Sequence, residues 1–168
     1  MNSVPYPEIR EALWNPSCSL ELLPAKDLEG LTCEEWGLLL IDAVTWKRTN
    51  NIPFLLTKAD VGFNNAQAVR WGIEMENWEC VQLLLPYCVE ENVCAQGLKW
   101  AAIKKNEDLT DFFISRTNLT NFWMNLSDQP RAQREETFDT QWLENRIQRQ
   151  ALRGVVPHST APSGSRKM

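Results

Sequence analysis

Between Ala66 and Pro86, apolar residues occur in two groups that each follow the spacing i, i+1, i+4, i+5. This spacing places the members of a group on one face of an α-helix. Glu76 and Asn77 separate the groups, and Pro86 ends the second because proline cannot continue a helix. The segment therefore predicts two short antiparallel helices. Their apolar positions are Ala68, Val69, Gly72 and Ile73 in the first and Cys80, Val81, Leu84 and Leu85 in the second.

The same pattern recurs at a shift of 29 residues in both directions along the chain. The stretch Ala66–Cys88 falls onto Ala95–Thr117, and toward the N-terminus it falls onto the residues around Ala43 and Ile52. The chain therefore contains three copies, and a weaker copy at Leu20–Leu28 precedes them. A pair of short helices cannot bury its apolar faces alone, so we expect the copies to stack on one another. Identical pairs include Ala66 and Ala95, Gln67 and Gln96, Trp71 and Trp100, and Asn77 and Asn106.

One position in the first helix of every copy holds a small residue. It is Ala43, Gly72 and Ala101 in the three copies. A residue with little or no side chain leaves room for a neighbouring backbone. This position therefore predicts close packing between the helices of adjacent copies.

The order of residue types in each copy resembles the ankyrin repeat. An apolar residue is followed by two small or apolar residues, two polar residues, a second pair and an aliphatic triplet. The resemblance covers roughly Leu20 to Thr117 and implies an all-α fold, namely an α-hairpin solenoid of about three to four degenerate ankyrin-like repeats plus a C-terminal helix. In the second copy the matching residues are Val69, Gly72, Ile73, Glu76, Asn77, Cys80, Val81, Leu83, Leu84 and Leu85.

The period of the copies is shorter than the roughly 33 residues usual in that family, which predicts short loops between repeats. A generic stack of α-hairpins is the alternative, and it follows the same packing rules. The predicted organisation is an N-terminal capping region at 1–36, three ankyrin-like repeats at 37–65, 66–94 and 95–126, a C-terminal amphipathic helix at 131–153 and a disordered tail at 154–168.

The C-terminal third contains two further helical patterns. Leu119, Phe122, Trp123 and Leu126 have the spacing of one more helix that closes the stack. The second pattern is an apolar stripe that either folds back onto the last repeat or stays free to bind a partner or a second copy of the chain. The stripe consists of Phe138, Trp142, Leu143, Ile147 and Ala151.

Composition and charge argue against several classes of function. The net charge of −5 disfavours binding to a nucleic-acid backbone, and no apolar run is long enough to cross a membrane. Five cysteines without paired spacing, together with the lack of a secretory signal, predict free thiols and a cytoplasmic protein. The single histidine, His158, falls in the predicted tail, and no catalytic or metal-binding arrangement is found elsewhere. We therefore expect no enzymatic activity, no metal and no cofactor.

The resemblance to ankyrin repeats implies that the concave face of the stack binds a protein. Trp46 and Met75 are the candidate anchors because aromatic and large apolar side chains dominate interface energies. The alternative for these two residues is that they only cover the adjacent helix. The interface positions fall on Thr45, Trp46, Glu74, Met75, Ile103 and Lys104, and the loop residues Asn64, Asn65, Val93 and Cys94 are expected to line the same rim.

Two functions follow from this reading of the sequence. The first is a protein–protein interaction module, a monomer or homodimer that inhibits or adapts a partner. The net negative charge of the chain favours a partner with a basic surface. The alternative is a structural protein that assembles through the C-terminal amphipathic helix. Trp71 and Trp100, which share a repeat position, are expected in the core in either case.

Overall fold

The computed structural model of the protein describes residues 6–24, 28–127 and 138–155, and within these ranges the chain is helical and forms no β-strand. The predicted all-α fold is confirmed. Residues 131–137 of the predicted C-terminal helix and 156–168 of the predicted tail, with His158, lie outside the described residues. The helices are α1 (Tyr6–Trp14), α2 (Cys33–Thr45), α3 (Ile52–Leu55), α4 (Phe63–Glu74), α5 (Trp78–Leu84), α6 (Glu91–Ile103), α7 (Glu107–Ile114), α8 (Leu119–Ser127) and α9 (Thr140–Val155), with 3₁₀ turns at Leu20–Leu22, Thr49–Asn51 and Leu85–Tyr87.

Each of the three copies turns from its first helix towards its second through the same backbone conformation. Lys47, Glu76 and Lys105 follow the helix ends with positive φ angles of 57°, 58° and 51°. In the first copy the amide of Arg48 donates a hydrogen bond of 2.7 Å to the carbonyl of Ala43, and the equivalent bonds in the next copies measure 2.8 and 3.0 Å. A left-handed residue with this six-to-one bond is a common helix C-cap. The repeat is therefore present in the backbone as well as in the sequence.

The first helices of the three copies, α2, α4 and α6, pack side by side in chain order. Each also contacts the shorter second helix that follows it, and α1 and α9 pack on α2 and α7 at the two ends. A hairpin of such short helices buries its apolar faces only through these neighbours. One continuous core results, and its fully buried members include Leu39, Val69, Leu84, Leu98 and Phe113.

Gly72 marks a close approach between α4 and its neighbours. A Cβ atom at this position would lie 2.8 Å from Val81 Cγ2 and 3.3 Å from Val44 Cγ1. The equivalent residues Ala43 and Ala101 are fully buried. The prediction of close packing at this position is therefore confirmed, because a side chain on Gly72 would push these helices apart.

A polar side chain before the second helix of a copy ties that copy to the preceding helix. Arg48 donates from Nε to the carbonyl of Leu13 at 3.0 Å and from Nη2 to the carbonyl of Trp14. In the next copy the equivalent residue, Asn77, is buried, and its Nδ2 donates to the carbonyl of Val44 at 2.8 Å. These carbonyls lie in the last turns of α1 and α2, where no i+4 amide is available within the helix.

The sequence pattern does not predict α1, which lies inside the expected capping region. Its buried residues, Ile9 and Leu13, have helical i, i+4 spacing and pack in the core. A capping box starts α2: Thr32 accepts a hydrogen bond from the amide of Glu35, and Glu35 accepts one in return from the amide of Thr32. Both bonds satisfy amides that have no partner within the helix.

Helix α9 folds back onto the last copy, which is the first of the two arrangements expected for the apolar stripe. Leu143 is fully buried, and Phe138, Trp142 and Ile147 are partly buried against the core. Ala151 is exposed, so the buried stripe ends one turn earlier than expected. The helix itself continues into the predicted tail. The closing helix expected from Leu119 onward is also present as α8.

Candidate functional site

The C-terminal ends of the first helices bring three of the predicted interface residues into one line. Trp46, Met75 and Lys104 are the C-caps of α2, α4 and α6. Because these helices pack side by side, equivalent positions on neighbouring helices lie about 10 Å apart. Trp14, the last residue of α1, extends the line beyond Trp46. We call Trp14, Trp46, Met75 and Lys104 the cap row.

Trp14 and Trp46 form an aromatic pair at one end of the cap row. Their ring centroids are 5.0 Å apart and the rings meet edge to face at 66°. Trp46 is partly buried and packs on the core, whereas Trp14 is 63% exposed. Trp46 therefore packs against the core and the end of the adjacent helix α1, as the alternative interpretation stated, and at the same time supports the exposed indole of Trp14.

Arg10 holds this pair from the side of α1. Its guanidinium carbon lies 5.4 Å from the centroid of the Trp46 ring, and its Nη2 donates a hydrogen bond of 3.1 Å to Asp42 Oδ1. The hydrogen bonds to Asp42 raise the pKa of Arg10 further above its ordinary value. The side chain is a cation at physiological pH, as arginine is in general. The charge on Arg10 is therefore already compensated within this surface.

Met75 and Lys104 form the other end of the cap row. Met75 is 44% exposed, and Trp78, three residues further along, is 36% exposed. Lys104 Nζ lies 3.2 Å from Glu76 Oε1 and so pairs with the turn of the preceding copy. The cap row thus runs from aromatic rings through a methionine to an ion pair.

The residues one position before the cap row contribute less accessible apolar surface. The hydroxyl of Thr45 donates to the carbonyl of Ile41 at 2.8 Å. Glu74 Oε2 lies 3.5 Å from Arg70 Nε, an i, i+4 ion pair on α4. Ile103 is partly buried against the core. These three predicted interface residues therefore lie beside the cap row, and their side chains are engaged within the chain.

The predicted loop residues do not share one rim with the cap row. Val93 and Cys94 are buried inside α6, which begins before the expected repeat boundary. Asn64 and Asn65 are exposed, but they lie at the opposite end of α4 from Met75, which about eight residues of helix place roughly 12 Å away. The prediction of a single rim is therefore wrong. The loop residues precede or begin the first helices, whereas the cap row lies at the C-terminal ends of those helices.

Asn64 and Asn65 begin α4 in an unusual backbone conformation. They have φ angles of 50° and 60°, and Ala66 follows with 56°. Asparagine tolerates this left-handed region better than most residues. The Asn64 side chain donates to Gln67, and Asn65 accepts a hydrogen bond of 3.3 Å from Gln96 on α6. This end of the first helices therefore presents a network of carboxamides.

Trp71 and Trp100 contribute to packing, as expected from their shared position. Trp100 is 5% exposed, and the guanidinium of Arg70 covers its ring at 4.5 Å from the centroid. Trp71 is partly buried against the core. Neither indole extends the cap row.

The buried thiols are poorly suited to nucleophilic chemistry. Burial raises the pKa of Cys88 to about 12 and also raises the pKa values of Cys80 and Cys94. At neutral pH these groups remain protonated, and the thiolate is the nucleophilic form. In the part of the chain that the structure describes, no three His, Cys, Asp or Glu side chains are grouped to hold a metal ion. No helix in the same part is long and apolar enough to cross a membrane.

No family model, no curated protein and no solved structure matches the chain. The resemblance to ankyrin repeats therefore rests on the residue pattern that carries it.

Sequence reasoning missed Trp14 and Arg10, which complete the aromatic end of the cap row. A repeat search finds segments that match one another, and α1 shares too few identities with the copies. The available signal was the spacing of Ile9, Leu13 and Pro7, since proline in a first turn followed by i, i+4 apolar residues favours a helix.

Proposed function

We propose that the protein is a protein–protein interaction module in which a small ankyrin-like stack binds a partner through the cap row and thereby inhibits or adapts that partner. The observation that carries the proposal is the exposure of Trp14, supported edge to face by Trp46, in line with the exposed Met75. Trp14 fills no gap in the core, so its large apolar surface stabilises the isolated chain little.

Aromatic and methionine side chains in this setting suit a binding anchor. Buried aromatic residues supply most of the energy of many interfaces, and methionine adapts its shape to the partner. The neighbouring carboxylates Asp42, Glu74 and Glu76 each lie within 4 Å of a cation, so a partner that covers the row does not leave these three charges without a counter-ion. The acidic body then favours approach of a basic partner surface through long-range attraction.

Assembly through the C-terminal helix has less support. The apolar face of α9 is already used within the chain, since Leu143 is fully buried and Arg146 forms ion pairs with α7. A truncation before this helix that leaves the size in light scattering unchanged removes that alternative.

The test uses the full chain, immobilised and incubated with a lysate of its native cell, with bound proteins quantified by mass spectrometry. Trp14→Ala and Met75→Ala replace exposed side chains, so both variants are expected to fold like the wild type in circular dichroism. Each change should lower the affinity for the partner by about thirtyfold, as for a hot-spot residue, and should therefore strongly lower the amount of partner recovered. Tyr87→Ala is the matched control, because Tyr87 is 48% exposed but lies outside the cap row.

Unchanged partner recovery by both Trp14→Ala and Met75→Ala would reject the cap row as the binding surface. Equal losses with Tyr87→Ala would mean that exposed apolar residues act without specificity, which also contradicts the proposal.

A further inference from the structure

A groove separates α6 from α8 at the opposite end of the molecule's helix row from the Trp14 pair. Helices α4 and α6 pack closely, whereas a groove with a volume of about 440 Å³ lies between α6 and α8 and is open to solvent. A smaller depression adjoins it and shares Asn92, Ala95, Phe122 and Asn125 as lining residues. We call this the carboxamide groove.

Carboxamides dominate the polar side chains of the groove, while its apolar floor is formed by Ala95, Phe122 and Leu126. Both Asn92 and Asn125 line the two depressions and are exposed. Neither side chain makes a hydrogen bond to any residue that the structure describes. The carboxamide residues are Asn92, Gln96, Asn118, Asn121 and Asn125.

Carboxamides recur at the 29-residue interval on two first helices and on the closing helix α8. Gln67, Gln96 and Asn125 occupy the same position at intervals of 29 residues on α4, α6 and α8. Gln96 also donates to Asn65, which continues the polar strip from the groove onto the start of α4. The depressions themselves are lined by α6, α8 and the residue before α8, and the strip of carboxamides continues from them to α4.

We propose that the carboxamide groove binds an extended main-chain segment of a partner protein. A primary amide presents a donor and an acceptor side by side, which complements the N–H and C=O that one residue of an extended chain offers on the same edge. The groove spans roughly 10 Å of α6 between Asn92 and Lys99, the length of about three residues in extended conformation. The floor of Ala95 and Phe122 receives one apolar side chain of that segment. This proposal uses different residues from the cap row and does not depend on it.

The test begins with a phage-displayed library of random peptides about seven residues long, selected on the immobilised full chain. The enriched peptide is synthesised with a fluorescein label, and its affinity is measured by fluorescence anisotropy. The double variant Asn92→Ala/Asn125→Ala should weaken binding by about tenfold, the effect of two neutral hydrogen bonds. Gln82→Ala is the matched control, since Gln82 is an exposed carboxamide on α5 and should leave the affinity unchanged.

Main-chain recognition is tested separately with a peptide of the same sequence methylated at alternate backbone nitrogens. Methylation removes peptide donors while leaving the side chains in place. The wild type should bind the methylated peptide about tenfold more weakly than the parent peptide. In the double variant the difference between the two peptides should be smaller, because the variant has already lost the hydrogen bonds that methylation removes. Ala95→Phe, which fills the floor, should abolish binding of the parent peptide.

Three results would overturn the inference. One is that no peptide is enriched over a display on uncoated surface. Another is that the enriched peptides bind the double variant and Ala95→Phe as tightly as the wild type. The third is that binding is lost with Trp14→Ala or Met75→Ala and retained in the groove variants, which would place the peptide on the cap row and leave the proposed function standing.

Discussion

Arg146 on α9 binds Asp111 on α7 through two parallel hydrogen bonds, Nε to Oδ1 and Nη2 to Oδ2, each 2.7 Å long. Its third donor group, Nη1, reaches Glu107 Oε2, and the Arg146 side chain is only 8% exposed. The hydrogen bonds to Asp111 raise the pKa of Arg146, and the guanidinium is charged at any pH at which the protein is folded. A planar fork of donors thus fastens the last helix to the row of repeats.

Replacing Arg146 is expected to loosen α9. Arg146→Ala leaves Glu107 without its cation and Asp111 with only Arg153, whose Nη1 lies 3.8 Å from Asp111 Oδ2. The change should lower the free energy of unfolding by about 2 kcal/mol. Arg146→Lys keeps the charge but loses the paired geometry, so its effect should be smaller. Urea unfolding measures the free energies, and amide hydrogen exchange in α9 shows where protection is lost. The exposed Arg149 provides the control, and an Arg146→Ala protein as stable as Arg149→Ala would contradict this account.

Gly72→Ala is expected to destabilise the protein despite the better helix propensity of alanine. The new methyl would meet Val81 at 2.8 Å, and overpacking of this kind costs about 1 to 3 kcal/mol. Alanine recovers about 1 kcal/mol within a helix. Thermal and urea unfolding should show a net loss. Adding Val81→Ala should make room for the methyl, so the double variant is expected to lose less than the sum of the two single changes.

Glycine is expected to stabilise the turns that end the first helices. Lys47 is exposed and has a φ angle of 57°, a conformation that is strained for side chains other than glycine. Lys47→Gly should therefore raise the free energy of unfolding by about 1 kcal/mol. Lys58→Gly removes the same charge at a position without positive φ and should not stabilise. Equal effects of the two changes would refute a backbone origin.

Cys88 should make stability fall at high pH. Its thiol is buried and has a folded-state pKa of about 12, whereas the unfolded chain ionises near 9. Between these values the unfolded state releases the proton and the folded state keeps it, so the free energy of unfolding decreases as the pH rises. Urea unfolding at about pH 8 and about pH 10 measures the free energy of unfolding of the wild type and of Cys88→Ala. Between these two pH values the free energy of unfolding of the wild type should fall more than that of Cys88→Ala. A difference independent of pH would contradict the assigned burial.

The repeat-derived part of the fold was predictable because it depends on local patterns. The i, i+4 spacing and the small residue at Gly72 identify each helix pair, and the shift of 29 residues shows that one solution is used three times. The structure adds that the turns themselves repeat, down to the positive φ of Glu76. Helix α1 was not predicted because its sequence shares too few identities with the three copies, although Ile9 and Leu13 have helical spacing.

The candidate surfaces were predictable only in part. Trp46 and Met75 fall on equivalent positions, so the sequence alone placed them at the same helix ends. Whether Asn64 shared that rim depended on the path of the chain through α4, and the structure places it at the other end. The supporting indole of Trp14 comes from an element that has no counterpart in the repeat.

By itself, the sequence determined an all-helical chain with three matching helix pairs and an amphipathic last helix, since apolar spacing is a property of neighbouring residues. Only the tertiary structure decided that Arg146 binds Asp111 and so holds this helix on α7, that Trp14 packs edge to face on Trp46, and that a carboxamide groove lies between α6 and α8. Each of these pairs residues from different helices, and such contacts arise from how the helices pack.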